Sequence, residues 1–356
     1  MPEHVTAFGP GRVNLIGEHT DYNDGLALPF AISDGVRVRA TALPGRFLEA
    51  IAVDLDECDG FELDQPESAP GWRGFVRGAA GELQRAGVSL RGARLEISGT
   101  VPRGAGLSSS AALEVALTLA LIGLTQEPGP GRLELARLCS RIENDWVGAH
   151  TGLLDQLASL FGEDGQALRI DFRSLEVRPV ALELGDYKLV TLDSGESHAN
   201  AASGYNERRS ECARACEELG IGSLRDATLE TIGRLPSPLS ERARHVLTEN
   251  ERVEEAVEVL DRRDLKALGR LLSASHASLR DDYEISTPAV ERAVELLCES
   301  GAAGARIVGG GFGGNVLGLL PPGVRPPAGA IEVRPGPGAR LLDQDLPTCG
   351  SSRSAG

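Results

Sequence analysis

The amino-acid sequence predicts an α+β protein of two domains. Its 356 residues exceed the roughly 100–200 of one ordinary domain. Strand-like and helix-like runs follow one another without the regular alternation that a doubly wound parallel sheet requires. Near residue 180 the chain changes character, from short strand-like runs and glycine turns to long charged amphipathic helices. The expected division is therefore residues 1–180 and 181–356.

In the first half, Val36–Ala40, Phe47–Val53 and Ala93–Ser98 read as strands, the last alternating apolar and polar side chains as a half-buried strand does. Ala111–Leu124 is an almost unbroken apolar run, too short for a bilayer and so a helix central in the core. Helical patterns follow at Leu133–Asn144 and Leu153–Phe161. After a strand at Lys188–Asp193 come helices over Asn206–Leu219, Glu241–Leu260, Leu265–Leu279 and Ala289–Glu299. Ala305–Leu320 reads as strand, glycine turn, strand. Ala330–Val333 is one more strand, which either half can accept, before a Gly/Pro/Ser-rich tail from Pro335 expected to fray beyond Asp345.

With 41% hydrophobic and 25% charged residues the chain has the composition of a globular protein with its own core. Thirty-six Lys+Arg against 52 Asp+Glu give a formal charge of −16. So acidic a surface repels polyphosphates and anionic headgroups, which argues against nucleic acid or a membrane as partner. A phosphate ligand must then be held by local backbone dipoles or a metal. No apolar run of about 18 residues offers a membrane span, and the N-terminus lacks the charged start and apolar block of a signal peptide. Six cysteines without a CxxC pair fit a reduced, cytoplasmic protein, with Cys212 and Cys216 on one helical face.

Three clusters carry chemistry. Gly11 to Tyr22 holds Arg12, Glu18, His19 and Asp21 within ten residues. Carboxylates and an imidazole so close together suit a ligand rich in hydroxyls; the alternative is a solvated polar loop. One histidine and two carboxylates reproduce neither HExxH nor an EF-hand. The second cluster, Val101 to Ala112, runs Gly104-Ala105-Gly106-Leu107-Ser108-Ser109-Ser110 straight into the apolar helix. Its glycines allow close approach of the backbone, and the helix start offers free N–H groups and a positive dipole end, as an anion site requires. The serines can cap the helix, donate to phosphate oxygens or hold Mg²⁺; three of them favour a phosphate cradle over a plain cap. It is not a Walker A loop, since Lys188 and Lys266 are the only lysines, and protein-kinase signatures are missing.

The third cluster, Gly309-Gly310-Gly311-Phe312-Gly313-Gly314, matches GxGxxG in letters. An apolar strand follows instead of a helix, so the dinucleotide reading fails. A glycine hairpin packed beside a ligand or beside the second cluster fits better. Asp155, at the start of a helix, has by itself only the reading of a carboxylate favoured by the helix dipole.

Together these segments resemble the galactokinases of the GHMP small-molecule kinase superfamily. GRVNLIGEHTDYNDGLALPFAI at 11–32 is similar to their signature, GAGLSSSAALEVA at 104–116 to the superfamily's phosphate-binding motif, and GARIVGGGFGGNVLGLL at 304–320 to its third motif. ENDWVGAHTGLLDQ at 143–156 and SGYNERRSECARA at 203–215 also match, so that the resemblance spans about residues 5 to 335.

The resemblance implies the two-domain GHMP kinase fold with its active site in the inter-domain cleft. It also implies transfer of the ATP γ-phosphoryl group to the anomeric hydroxyl of α-D-galactose, in galactose catabolism, with no obligate protein partner. By resemblance, Asp155 is the catalytic carboxylate and Arg12 the arginine beside it. A neighbouring guanidinium favours the ionised carboxylate and stabilises charge on the transferring phosphoryl group. An aspartate is a weak base for an alcohol, so orientation of the hydroxyl is its first role. Glu18, His19, Asp21, Gly152 and Tyr205 match galactose-binding positions. Gly104, Gly106, Ser108, Ser109 and Ser110 match the phosphate loop, Ser110 and Glu143 the Mg²⁺ ligands, and Trp72 an aromatic near the adenine, with a core role as its alternative. Departures are small: Ile307-Val308 stands where many relatives have Met-Thr, and Asn315 where they often have Cys. A related sugar kinase acting on N-acetylgalactosamine or arabinose, and a silent galactose/ATP sensor, are the rival readings.

Overall fold

The computed structural model describes residues 2–101, 106–125, 128–149, 151–196 and 201–342. In chain order, β1 (His4–Asn14), β2 (Leu26–Ala27), β3 (Pro29–Ala42), β4 (Phe47–Ala52) and β5 (Glu57–Glu62) precede α1 (Trp72–Arg85) and β6 (Ala93–Gly99). Next come α2 (Ser109–Leu124), α3 (Arg132–Arg141), a π-helical turn at Ile142–Val147, and α4 (Leu154–Phe161). Strands β7 (Gln166–Asp171), β8 (Glu176–Ala181) and β9 (Lys188–Asp193) lead into α5 (Ala201–Leu219), α6 (Leu229–Ile232), α7 (Leu239–Asp261), α8 (Leu265–Asp281) and α9 (Pro288–Glu299). The chain closes through β10 (Gly304–Ile307), β11 (Asn315–Leu320), β12 (Ile331–Val333) and β13 (Arg340–Leu342).

The strands form three sheets, in the orders β13-β1-β3-β6-β4-β5, β10-β11-β9-β12 and β2-β7-β8. Among the described strands only β4 and β6 pair in parallel, so the α+β class expected from the sequence holds. The expected strands and long helices are present. The glycine-rich third cluster joins the antiparallel strands β10 and β11 as the predicted hairpin.

Several elements were not legible. β1 contains Gly9, Pro10 and Gly11, residues that break strand patterns, yet it is a strand of the six-stranded sheet. Its register against β3 shifts between Pro10 and Arg12, and such bulges re-aim side chains. α1 carries Gly74, Gly78 and Gly81, poor helix formers. A Cβ at Gly78 would lie 2.9 Å from Trp146 Cγ, so the glycines admit an indole against the helix. The tail from Pro335 adds a strand that the sequence pattern does not show: β13 pairs antiparallel with β1, and Pro335 bridges Ile32. β12 joins β9 in the second sheet. Asp345, where fraying was expected to begin, lies outside the described residues.

Two packing features position the site. First, α2 lies directly on β1. A Cβ at Gly9 would come 3.0 Å from Ala116 N and 3.1 Å from Ala112 C, and one at Gly11 would come 2.6 Å from Leu107 O. No side chain larger than hydrogen allows this approach, and it sets the start of α2 beside Arg12. Second, one core cluster joins both halves of the chain. Leu15, Ile16, Leu28 and Phe30 meet Val253, Leu268, Leu317 and Leu319 there. No described helix is long and apolar enough to cross a membrane.

Candidate active site

Arg12 is on β1 and only 7% exposed. Its Nε donates to Asp155 Oδ1 at 2.7 Å and its Nη2 to Asp155 Oδ2 at 3.0 Å, a two-pronged pair across 143 residues. The remaining nitrogen, Nη1, donates to Gly106 O at 2.7 Å, and the Arg12 amide donates to Leu107 O at 3.1 Å. The arginine thus fixes both the carboxylate and the loop before α2. Asp155 occupies the first turn of α4, where the helix dipole favours negative charge.

The serines do not cap the helix, the role a single serine would have. Ser108 is the N-cap residue, in left-handed conformation, and makes no side-chain cap. Its hydroxyl donates instead to Asp155 Oδ2. Ser110 hydrogen-bonds Glu143, and the uncapped end of α2 keeps its N–H groups free for an anion. Gly104 lies outside the described residues, as do Pro102, Arg103 and Ala105.

Arg12, Asp155, Gly106 and Ser108–Ser110 line a cavity of about 470 Å³ together with Glu18, His19, Asp21, Glu143, Gly152 and Tyr205. Residues from both halves of the chain therefore meet around one hollow. The solvated-loop alternative for the first cluster fails, because Glu18 and His19 are buried. Glu18 accepts from the Gly309 amide at 2.8 Å and lies 3.2 Å from Arg306 Nη2. The glycine hairpin thus packs beside the first cluster, and its Gly309 and Gly310 line the same cavity as Ser108–Ser110. Arg306, fully buried and itself donating to the carbonyls of Asn14 and Leu15, was missed by the sequence reading; a lone arginine within a strand gives no signal.

His19 has φ 61° and keeps its Nδ1 2.8 Å from the Tyr22 hydroxyl. Burial, reinforced by His245, lowers its pKa to about 3, so the imidazole is neutral. Its ring lies 5.3 Å from that of Tyr205 and 4.7 Å from that of Tyr283. Asp21 is raised to about 7, first by burial and then by the charge of Asp155. Gly152 is seated against Asp21, where a Cβ would stand 2.7 Å from the Asp21 Cγ. Burial and the charge on Asp21 also raise the Tyr205 phenol, which stays protonated.

Behind the serines lies an acidic set whose extent the sequence reading missed. Glu143 accepts from Thr151 Oγ1 at 2.7 Å and from Gln156 Nε2 at 2.9 Å, and Gln156 Nε2 also lies 3.2 Å from Glu114 Oε2. Burial and Asp155 raise the Glu143 carboxyl, and burial and Glu143 raise Glu114. So much unbalanced negative character around the Ser110 hydroxyl is the electrostatic setting of a hard cation. Among the described residues no group of three or more His, Cys, Asp or Glu would hold a metal unaided. A Mg²⁺ ion held by two protein oxygens and completed by phosphate oxygens and water fits this donor set.

Trp72 lines a second cavity, of about 500 Å³, with Val36, Leu55, Phe75, Ile97 and Leu113; Ser109 and Ser110 are shared between the two cavities. The indole packs, partly buried, against the core cluster that holds Val36 and Ile97, and its Nε1 donates to Glu57 Oε2 at 2.8 Å. The slot beside Trp72 thus joins the hollow of Arg12 and Asp155 at the start of α2.

Three family models match the chain: "Galactokinase galactose-binding signature" over residues 2–41, "GHMP kinases N terminal domain" over 74–163 and "GHMP kinases C terminal" over 256–330. The galactokinase of Mycobacterium tuberculosis is 45% identical over 327 residues, covering 89% of each chain. That of Haemophilus influenzae is 42% identical over 333 residues, 90% of this chain and 86% of the relative. The chain belongs to the galactokinase family. A crystal structure of Lactococcus lactis galactokinase complexed with galactose superposes with a TM-score of 0.87 at 33% identity, covering 96% of this chain and 95% of the other. Mevalonate kinase from Methanococcus jannaschii shares the fold at a TM-score of 0.69 and 18% identity. Galactokinases are GHMP kinases, so this chain is an ATP-dependent sugar kinase with the GHMP fold, acting on small molecules.

Proposed function

We propose that the enzyme transfers the γ-phosphoryl group of ATP to the anomeric hydroxyl of α-D-galactose, yielding galactose 1-phosphate and ADP. The observation that carries this reading is the fork of Arg12 on Asp155 within a cavity that also holds Glu18, His19 and Asp21. The sugar hydroxyls engage Glu18, His19, Asp21, the Gly152 backbone and Tyr205. The adenine lies beside Trp72, and the triphosphate runs past Ser109 to the uncapped start of α2, where Gly106 and Ser108 belong to the phosphate loop. The chain divides near residue 180, with the last strand, β13, lying on the N-terminal sheet.

Asp155 receives the anomeric hydroxyl. Arg12 and the Ser108 hydroxyl fix the carboxylate, so the reacting oxygen is aimed before bond making, and orientation of this kind removes much of a barrier. In a loose transition state the hydroxyl proton leaves late, so Asp155 orients first and accepts the proton last. Arg12 lies at the same point to stabilise charge on the transferring group. Ser110 and Glu143 would hold Mg²⁺, which when bound neutralises phosphate oxygens. Because buried polar groups discriminate against a misplaced hydroxyl, glucose should be a poor substrate.

The test is ADP release measured with galactose, glucose, N-acetylgalactosamine and arabinose. Turnover should be highest with galactose; none with galactose would overturn the substrate assignment.

A further inference from the structure

The segment from Gly17 to Leu26, which carries Glu18, His19 and Asp21, is not self-supporting. It contains left-handed backbone at Gly17 (φ 99°), His19 (φ 61°) and Asp24 (φ 54°). Two of these are not glycine, a conformation that persists only where the surroundings enforce it. Its internal bonds gather on Thr20 and His19: Thr20 Oγ1 lies 2.9 Å from Gly17 O and 2.7 Å from Leu26 O, Thr20 O accepts the Asn23 and Gly25 amides at 3.0 and 2.8 Å, and His19 meets Asn23 Nδ2 at 2.9 Å through its carbonyl and the Tyr22 hydroxyl at 2.8 Å through Nδ1.

Ser223 Oγ donates to Asn23 O at 2.7 Å, Arg225 Nη1 to Asp24 O at 2.8 Å and the Phe172 amide to Gly25 O at 3.0 Å, and α7, more than two hundred residues away, holds the two ends. Glu249, fully buried, accepts the Gly17 amide at 2.9 Å, and Asn250 Oδ1 accepts the Leu26 amide at 2.7 Å. His245, one turn earlier on the same helix face, has its Nε2 3.1 Å from Glu18 O. A carbonyl only accepts, so the ring donates from Nε2. The seat is tight, since a Cβ at Gly25 would come 2.6 Å from Asn250 Oδ1 and one at Gly17 would come 3.0 Å from Val253 Cγ2. The ring of Tyr283 fills the space between His245 (4.5 Å) and His19 (4.7 Å). Glu249 is itself fixed by the Ser275 hydroxyl at 2.7 Å and by Arg252 Nε at 2.7 Å.

We propose that α7, through His245, Glu249 and Asn250, holds both ends of the Gly17–Leu26 main chain and so sets where Glu18 and His19 meet the sugar; these three are positioning residues for the sugar. This rests on the reading of Gly17–Leu26 as the sugar-binding segment. None of the three is among the described residues lining the cavity. Their loss should therefore act on the sugar and spare the nucleotide.

The test compares His245→Leu, which deletes the donor, with His245→Gln, whose amide can restore it. Loss of one buried hydrogen bond corresponds to about a tenfold effect. His245→Leu is expected to raise the galactose KM about tenfold and leave the ATP KM within about twofold, and His245→Gln should recover most of the loss. Equal changes in both KM values, no change in either, or no recovery in His245→Gln would overturn the proposal. Hydrogen exchange of the Gly17–Leu26 peptide gives a readout independent of the substrate: it should quicken in His245→Leu and be unchanged over Ser109–Leu124. Unchanged exchange at Gly17–Leu26 likewise refutes the proposal, whereas a wild-type enzyme inert toward galactose refutes only the substrate. Should His245→Leu not fold, Asn250→Ala carries the same pair of expectations, with the same refuting results.

Discussion

Gly152→Ala places one methyl group against the carboxylate of Asp21. The new Cβ would stand 2.7 Å from Asp21 Cγ and nearer still to its Oδ2. Carbon atoms rest at about 3.5–4.0 Å, so the carboxylate must retreat by roughly 1 Å. Backbone strain does not enter, because Gly152 is not among the residues with positive φ. Stability should hardly change, and Gly→Ala can add about 0.4–1 kcal/mol by restricting the unfolded chain. A displacement of about 1 Å at a binding group costs on the order of 10²-fold in rate. We expect kcat/KM for galactose to fall by that factor with the ATP KM within about twofold, measured by coupled ADP release at varied concentrations of each substrate. The double-mutant cycle supplies the control. In an Asp21→Ala background the methyl meets no carboxylate, so adding Gly152→Ala should then cost less than about twofold. A wild-type galactose kcat/KM in Gly152→Ala, or the same penalty with and without Asp21, would refute the reasoning.

Asp155→Ala removes the hydroxyl acceptor and strands Arg12. Turnover should fall by at least about 10³-fold while calorimetry still detects galactose binding; retained turnover would exclude Asp155 from the chemistry. The raised pKa of Asp21, about 7 against an ordinary 3.8, has a stability signature. Its native state prefers the proton, so the contribution is fully present below pH 3.8 and is lost as pH rises through 7. The difference in Tm between wild type and Asp21→Asn should therefore fall steadily from pH 4 to 7.5, and a constant difference contradicts the burial argument. Gly9→Ala drives a Cβ into the backbone of α2 and should cost about 1–3 kcal/mol or more, read from the urea midpoint. A midpoint equal to wild type would mean that α2 does not rest on β1 as described.

What the sequence reveals and what it hides follow from the range of the interactions. α2 announces itself because its apolar run is local, and Gly106–Ser110 because the loop and helix start are contiguous. The α5 and α7–α9 helices are visible in their amphipathic spacing. Arg12 and Asp155 are single letters 143 residues apart, and only the packed structure brings them to 2.7 Å. Their pairing entered the sequence reading through family resemblance alone. β1 was hidden because Gly9, Pro10 and Gly11 look like a turn; the same glycines are required by the helix lying on them. α1 was hidden by glycines that make room for Trp146. The buried Arg306 and the His245–Glu249–Asn250 face were illegible because the backbone atoms they hold lie more than two hundred residues away in the chain. In the sequence the three serines suit a cap, phosphate donors or Mg²⁺ ligands. In the structure, Ser108 donates to Asp155 and Ser110 bonds Glu143, contacts no local pattern specifies.

The central claim is that sugar and nucleotide meet at the Arg12–Asp155 pair inside one hollow. The most direct measurement is a crystal structure of the enzyme with galactose and a non-hydrolysable ATP analogue. The account predicts the anomeric oxygen within hydrogen-bonding distance of Asp155 and about 3–3.5 Å from the γ-phosphorus, with the ring against His19 and Tyr205. A sugar bound with its anomeric carbon turned away from Asp155, or a triphosphate that bypasses Ser108–Ser110, would contradict it.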